Sequence, residues 1–454
     1  MSDLPPGWAD AKLEQIAEWG SGGTPSRSRP EFYGGSIPWI KTGELGQGVI
    51  LDTEEKITEL ALENSSAKLF PKGSVAVAMY GATIGKVALL GIDAATNQAC
   101  AVGIPKQGAT TAQYLLHYLA SQKDAFVAKG QGGAQPNISQ TIIKSWPIPL
   151  APLPEQRRIS DKLDSLLTKV NACHERLDRV PQILKKFREA VLESAASGRL
   201  TEEWRASTGN SGQAVWTPME LAAVCEPDRV ITYGVIKLGT DVPSGVPCLR
   251  TSNVRWLRID EEGIKRIDRA LSEDYGRTVL RGDEVLVNVR GTLGGVAAVA
   301  PHMVGWNVSR EVAVVPAASK LVQPQFLALW IASNSSQRWL TRVQRGVAYT
   351  GINIEDLRAL PVSVPSFIEQ SEIIRRVTGL FALAASLQRR HGNAVSRVER
   401  LTPSVLAKAF RGELGAQDPN DEPAEAMLDR IRQGNGSADV ASKSQGKPVR
   451  GRKV

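Results

Sequence analysis

Pro152-Leu-Pro-Glu155-Gln156-Arg-Arg-Ile159, running on to Ser197-Gly198-Arg-Leu200, is the stretch that decides how this chain is built, because it occurs twice. A second version runs from Ser366-Phe-Ile-Glu369-Gln370 to Gly412-Glu-Leu414, at an offset of 214 residues. Glu155/Glu369, Gln156/Gln370, Ile159/Ile373, Leu166/Leu380, Arg176/Arg390, Val191/Val405, Leu192/Leu406, Ala195/Ala409 and Gly198/Gly412 are identical pairs, and no insertion interrupts the match. In the first copy apolar residues recur at Ile159, Leu163, Leu166, Val170, Cys173, Leu177, Val180, Leu184, Phe187 and Val191. Steps alternating four and three average the ~3.5 residues of a coiled-coil seam. The second copy keeps the phase through Ile373, Val377, Leu380, Ala384, Leu387, His391, Ala394, Val398, Leu401 and Val405. Two long helices with matched stripes are expected.

Their ends are written in the sequence. Prolines at 152 and 154 hold the chain extended before the first helix, and Ser366-Phe-Ile-Glu369 has capping-box spacing before the second. Gly198 and Gly412 follow the last periodic residues, where a left-handed cap favours a residue without Cβ. Pro181 falls inside the first stripe, which continues in phase beyond it. It predicts a kink or a helix restarted in register.

Outside the helices the duplication continues in outline. Trp216 echoes Trp8 at an offset of 208, and Pro247-Cys-Leu-Arg250-Thr251 echoes Pro38-Trp-Ile-Lys41-Thr42 at 209. Thr292-Leu-Gly294 echoes Thr83-Ile-Gly85 at the same 209, and Asn353-Ile354 echoes Asn137-Ile138 at 216. Drift of this kind marks loops of different length. Short β-like runs alternate with Gly, Pro, Ser and Asn clusters, which reads as an irregular α+β domain. Ser74–Met79 and Lys86–Leu90 read as strands, and Tyr114–Val127 as a helix. The expected order is a first domain over residues 1–151, a helix over 152–200, a linker over 201–213, a second domain over 214–364, a helix over 365–415, and a tail over 416–454. The tail has a short helical patch at Ala424–Arg432, and from Gly434 its Ser, Gly, Lys and Arg composition reads as disordered.

Composition sets the outer limits. A chain of 454 residues exceeds one core, and 42% hydrophobic residues suffice for two or three. The net charge of +8, from 55 basic and 47 acidic residues, favours an anionic partner. Cys100, Cys173, Cys225 and Cys248 form no C-x-x-C pair, which argues for a reducing cytoplasm and against structural zinc. Neither a signal region nor a membrane-length apolar run is present, so a soluble cytoplasmic protein is expected.

Catalytic arrangements are missing. Gly81-Ala-Thr-Ile-Gly85-Lys86 is one residue short of a P-loop, and Val87 stands where Ser or Thr would hold Mg²⁺. There is no Asn-Pro-Pro-aromatic motif, dinucleotide fingerprint or His-Glu-x-x-His, and the four histidines, His117, His174, His302 and His391, share no context. What remains is a set of polar and basic loops. Ordinary turns use the same residues, yet matched positions in the two halves carry the same donors, Lys41/Arg250 and Thr42/Thr251. Such groups suit phosphate oxygens; Arg also suits the O6/N7 edge of guanine, and Asn or Gln the edge of adenine. The candidates for DNA contact are Arg27, Arg29, Lys41, Thr42, Thr83, Lys86, Gln131, Gln135, Asn137 and Ser139 in the first half. In the second half they are Arg250, Thr251, Asn253, Arg290, Thr292, Arg310, Arg345 and Asn353.

With this duplication, the Pro-Leu-Pro-Glu155-Gln156 helix start, Thr83-Ile-Gly85-Lys86 and Gln135-Pro-Asn137-Ile-Ser139, the chain resembles the specificity subunits of type I restriction-modification enzymes. The resemblance spans Trp8 to about Leu414; it departs in the second half, where Ser-Phe-Ile precedes Glu369 and Gly351-Ile-Asn353 stands for Gln-Pro-Asn. It implies two tandem pseudo-symmetric α/β target recognition domains, each reading one half of a split DNA sequence, separated by two helices that pair as an antiparallel coiled coil. It further implies a non-catalytic subunit of a restriction endonuclease and adenine-N6 methyltransferase, with two methyltransferase and two motor-nuclease subunits as partners. S-adenosylmethionine, ATP and Mg²⁺ would then belong to those partners, and this chain would bind no cofactor.

Helix length fits that role independently. About 42 residues from Glu155 to Ala196 give roughly 60 Å at ~1.5 Å each, between one and two turns of duplex at ~34 Å per turn. The alternative that the residues leave open is a coiled-coil adaptor whose globular domains bind protein.

Overall fold

A computed structural model of the chain describes residues 4–46, 48–130, 137–208, 216–345 and 351–443. It divides into two compact units, one of residues 1–177 with 394–454, the other of residues 178–393. Both chain ends therefore contribute to the first unit, and the middle of the chain makes the second.

The first unit is built on a five-stranded sheet in the spatial order Ala17–Ser21, Cys100–Pro105, Val75–Ala78, Val87–Leu90, Gly48–Ile50. Val75-Ala-Val-Ala78 is apolar at every position because both faces are covered. Val75, Val77 and Ala101 point into one core with Tyr114, Leu115 and Leu119, while Ala76, Ala78, Cys100 and Val102 point into a second core with Leu90. That is the period of two expected of a strand. The helical run predicted over Tyr114–Val127 is two helices, Ala112–Ser121 and Lys123–Lys129. A smaller sheet contains a parallel pair, Trp39 beside Ala95 and Ile40 beside Thr96.

The second unit repeats this topology. Its main sheet runs Thr232–Tyr233, Val312–Pro316, Glu284–Asn288, Val296–Ala298. Val285, Val287 and Val315 enter one core and Leu286, Val312 and Val314 the other. The parallel pair recurs as Cys248 beside Asn307 and Leu249 beside Val308. In both units the strand leading into the long helix pairs antiparallel with the strand opening the domain, Pro147–Leu150 with Ala9–Lys12 and Pro361–Val364 with Thr217–Glu220.

The Glu-Gln pairs are the joints between domain and helix. Gln156 is fully buried; its amide donates to the carbonyls of Ala109 (3.1 Å) and Ala151 (2.9 Å), and its oxygen accepts from the Thr111 N–H (3.2 Å). Gln370, equally buried, donates to Leu321 and Pro365 (both 3.0 Å) and accepts from Gln323 N–H (2.8 Å). Glu155 accepts from the Trp8 indole N–H at 3.0 Å and from Gln417 at 3.4 Å. Burial pushes its carboxyl above the usual range. Glu369 instead accepts from the Thr201 hydroxyl (2.7 Å) and the Arg205 guanidinium. That side chain does not close a reciprocal capping box, although Ser366 does cap the Glu369 N–H at 3.3 Å.

The first long helix spans Leu153–Ala196, 44 residues with Pro181 inside it, and is about 66 Å long. No restart occurs at Pro181. The second is not continuous: it runs Phe367–Glu399 and resumes as Leu401–Ala409. Pro403 explains the break, since it lacks an N–H and its ring crowds the carbonyl four residues back, that of Glu399. Gly198 and Gly412 take positive φ, 75° and 73°, as the caps required.

In the first unit Ile159 and Leu163 share a core with Leu406, Ala409 and Phe410; in the second, Val191, Leu192 and Ala195 share one with Ile373 and Val377. The start of one helix therefore lies with the end of the other, an antiparallel pair, and Arg188 donates to Gln388 at 2.9 Å between them. The seam is buried at Ile159, Leu163, Val170, Leu184, Val191, Ile373, Val377 and Ala384, and half-buried at Leu166, Leu177, Phe187, Leu380, Val398 and Val405. Leu387 (41% exposed), Leu401 (44%) and Cys173 lie outside it. Near the domains the helices meet a broader surface than a partner helix, so Leu192, Ala195, Leu406 and Ala409 are buried as well.

The helical patch expected at Ala424–Arg432 is present, and the tail differs from expectation in how far that helix extends and in where it packs. A helix spans Ala424–Lys443, and Ala424, Met427 and Leu428 are buried in the core of the first unit. Their i, i+3, i+4 spacing supplies an apolar face that mean composition conceals. The linker is not wholly irregular either, since Glu202–Ser207 is helical.

Candidate nucleic-acid interface

The loops expected to meet DNA are fastened to the sheets by backbone hydrogen bonds. In the first unit Tyr80 bridges antiparallel to Asn137, and the Ile138 N–H donates to the Met79 carbonyl at 2.9 Å. In the second, Arg290 bridges to Gly351, and the Ile352 N–H donates to Val289 at 2.8 Å. Ile352 is thus the counterpart of Ile138, and Asn353 that of Ser139. Both of the latter stand at helix N-caps, before Gln140–Lys144 and Ile354–Arg358. The pairing of Asn353 with Asn137 is corrected: the offset here is 214, the value held along the helices, because matching Asn-Ile by identity slips the register by two.

Gly22 and Gly234 hold the same place. A Cβ on Gly22 would lie 1.9 Å from the Thr96 carbonyl oxygen, and one on Gly234 1.8 Å from that of Val308. The following residues, Gly23 and Val235, donate to those same carbonyls at 2.9 and 2.8 Å. The loop after each first sheet strand can approach the sheet only through glycine.

In the first domain the basic candidates come already paired. Arg27 meets Glu55 at 2.8 Å and lies over the Tyr33 and Trp39 rings at 4.3 and 5.4 Å. Arg29 pairs with Glu31 at 2.8 Å, and Lys41 reaches Glu54 and Glu55 at 3.1 Å each. Glu55 and then Glu54 hold the Lys41 ammonium above its ordinary range. Burial pushes the Glu55 carboxyl up, but Lys41 and Arg27 outweigh it and hold it low. Thr42 opens a short 3₁₀ turn over Thr42–Glu44. Thr83 donates to the Tyr80 carbonyl at 2.8 Å, and Lys86 is half-buried beside Gly46. The Gly81–Lys86 run joins two antiparallel strands and opens no α-helix, as a nucleotide-binding loop would. Asn137 and Ser139 are exposed, and Ser139 caps the Ile142 N–H at 3.2 Å. Gln131 and Gln135 lie outside the described residues.

The second domain is arranged differently. Asn253 is not a surface group: it is 1% exposed, its amide donates to the backbone carbonyls of Asp260 (3.0 Å) and Glu262 (3.2 Å), and its oxygen accepts from the Arg250 N–H (3.1 Å). It shapes the loop that carries Arg250 and Thr251. Arg250 donates to the Gly263 carbonyl at 2.8 Å. Thr292 is exposed. Arg290 and Arg310 line a cavity of about 310 Å³ together with Arg277, Tyr233 and Tyr275. Arg345 and Asn353 line a neighbouring groove of about 550 Å³, which shares Thr232 and Tyr233 and adds Arg358. Arg345 is paired with Asp356 at 3.3 Å. Tyr233, Arg277 and Arg358 line these two cavities and were not among the residues expected from the sequence. An aromatic or arginine beside each turn cluster was the available signal, and it is not distinctive without the fold. Among the described residues no three of His, Cys, Asp and Glu come together to hold a metal ion, and no helix is long and apolar enough to cross a membrane.

Comparison with known proteins decides between the readings left open by the loops. The family model described as "Type I restriction modification DNA specificity domain" matches residues 5–182 and 250–395. The chain belongs to that family. Among members of this specificity family, the type I restriction enzyme EcoBI specificity subunit of Escherichia coli is 34% identical over 337 residues, covering 70% of this chain and 71% of the relative. The EcoKI specificity subunit of Escherichia coli strain K12 is 28% identical over 449 residues, covering 94% of this chain and 96% of the relative. In fold, the chain is similar to the crystal structure of the HsdS subunit from Thermoanaerobacter tengcongensis, with a TM-score of 0.61 at 19% identity over 90% of this chain and 98% of that one. The split family match falls on both halves, which agrees with the repeated sheet order in the two units.

Proposed function

We propose that this chain is the DNA-recognition subunit of a type I restriction-modification complex, that each domain reads one half of a two-part target, and that the paired helices set the gap between the halves. The observation that carries this reading is the repeated joint: Gln156 and Gln370 fasten two domains of one topology to a long helix at equivalent points. Loops can then vary without altering the helices, which accounts for an offset that drifts in the domains and holds along the rods.

In this reading catalysis belongs to methyltransferase and motor-nuclease partners, two of each, docked on the charged helix faces and supplying S-adenosylmethionine, ATP and Mg²⁺ chemistry. Phosphate contacts would come from lysine and arginine, and sequence selection from the loops over the first sheet strands. A protein-binding adaptor has no comparable support from the family match. Footprinting of the reconstituted complex tests the proposal. Two protected, sequence-specific segments separated by an unread gap are expected; binding that depends on salt but not on sequence would reject it.

A further inference from the structure

We infer that Arg290 reads a guanine in one half of the target, an assignment that rests on the DNA-recognition reading above. Four observations single it out from the other cations.

Its backbone is part of the sheet framework. The Arg290 backbone N–H donates to the Glu311 carbonyl at 3.3 Å, and the residue, two positions past the strand Glu284–Asn288, bridges to Gly351. A reading group held on a strand end is placed more accurately than one on a free loop. Its guanidinium lies 5.4 Å from the centre of the Tyr233 ring, a contact that orients the planar fork without consuming its N–H donors. It opens into the cavity of about 310 Å³ that Arg277 and Arg310 also line.

Charge separates it further. Arg27, Arg29, Lys41, Arg310 and Arg345 each have a carboxylate within ion-pair distance, whereas among the described residues Arg290 has none; Arg250 and Lys86 have none either, but Arg250 already donates to the Gly263 carbonyl at 2.8 Å and Lys86 is half-buried. A paired guanidinium must give up its carboxylate before it can present two parallel N–H groups to O6 and N7 of guanine; Arg290 need not. Arg310, half-occupied by Glu311 at 3.2 Å, and Arg277 suit the flanking phosphates.

The register shows how the two halves of the molecule differ at this point. Val77 pairs with Val87 in the first unit and Val287 with Val296 in the second, which makes Tyr80 the counterpart of Arg290. Tyr80 is 45% exposed and carries no cationic fork. At this position the two domains therefore present different groups, and the guanine read by Arg290 has no equivalent contact from Tyr80.

The test uses the complete complex. Methylation mapping defines the target; binding by wild type, Arg290→Ala and Arg290→Lys is then measured over a salt series, on the target duplex and on duplexes in which each G·C pair is changed to A·T. Arg290→Ala is expected to lose discrimination of about 5- to 150-fold at one G·C pair in one half of the target, and Arg290→Lys, whose ammonium still donates to O6 or N7, to lose less at the same pair. Discrimination at every other position should stay, which also reports an intact fold. An equal loss on every duplex, with the salt dependence reduced by about one phosphate contact, would make Arg290 a backbone contact and overturn the inference. So would unchanged discrimination in Arg290→Ala. A wild-type complex with no sequence preference would instead overturn the functional reading itself.

Discussion

Replacing Gln156 by alanine should unfasten the first domain from its helix. The side chain is fully buried and serves three backbone groups, the carbonyls of Ala109 and Ala151 and the N–H of Thr111. Each buried group left without a partner costs about 1–3 kcal/mol, so three give about 3–9 kcal/mol before any water enters the space. A loss of at least about 3 kcal/mol is expected, among the larger effects of single substitutions. Urea denaturation of the full chain measures it, and amide exchange locates it. Protection should fall first at Ala109–Thr111 and along the start of the long helix, with the second unit little affected. Gln370→Ala should show the mirror result at Leu321–Gln323. Arg157→Ala, on an exposed position one residue away, should change stability by less than ~0.5 kcal/mol. If Gln156→Ala costs less than about 1 kcal/mol, the buried amide is not the joint described here.

Gly22→Ala and Gly234→Ala should each destabilise by about 1–3 kcal/mol, because the added Cβ would sit 1.9 and 1.8 Å from a carbonyl oxygen; equal melting temperatures for variants and wild type would contradict the close approach. Leu428→Ala should cost about 2–5 kcal/mol in thermal unfolding, since Leu428 is 2% exposed in the first unit's core; an unchanged midpoint would mean that the C-terminal helix does not dock. His117, 2.8 Å from Asp164, is held below its ordinary pKa by burial, with Asp164 opposing. A depressed folded pKa stabilises above the unfolded value, so stability should fall as pH drops below about 6.5. His117→Gln should flatten that limb in pH-dependent melts; an unchanged slope would remove His117 as its source.

The long helices were legible because every seam position repeats at one offset and each cap has its residue. The domains were legible only as a pair, since apolar strands buried on both faces, such as Val75–Ala78, announce themselves while short strands such as Leu69–Phe70 do not. Parallel pairing of Trp39 with Ala95 depends on residues far apart in sequence and leaves no local trace. Asn253 reads the same in a sequence whether it faces solvent or ties a loop, and only burial separates the two. The break at Arg400 was readable from Pro403, but the stripe that carries on past it hid the signal. Ala424, Met427 and Leu428 were masked by polar neighbours, which dilute a single apolar face of a helix.

In the proposed function the paired helices fix how far apart two reading heads act on DNA. Inserting four residues into the first helix between Lys169 and Arg179, and four at the equivalent point of the second, lengthens each by about 6 Å. Mapping of methylated adenines in cells carrying the altered subunit should return both halves of the target unchanged, with the gap longer by about one to two base pairs at ~3.4 Å each. A gap of unaltered length, with methylation retained, would contradict the account.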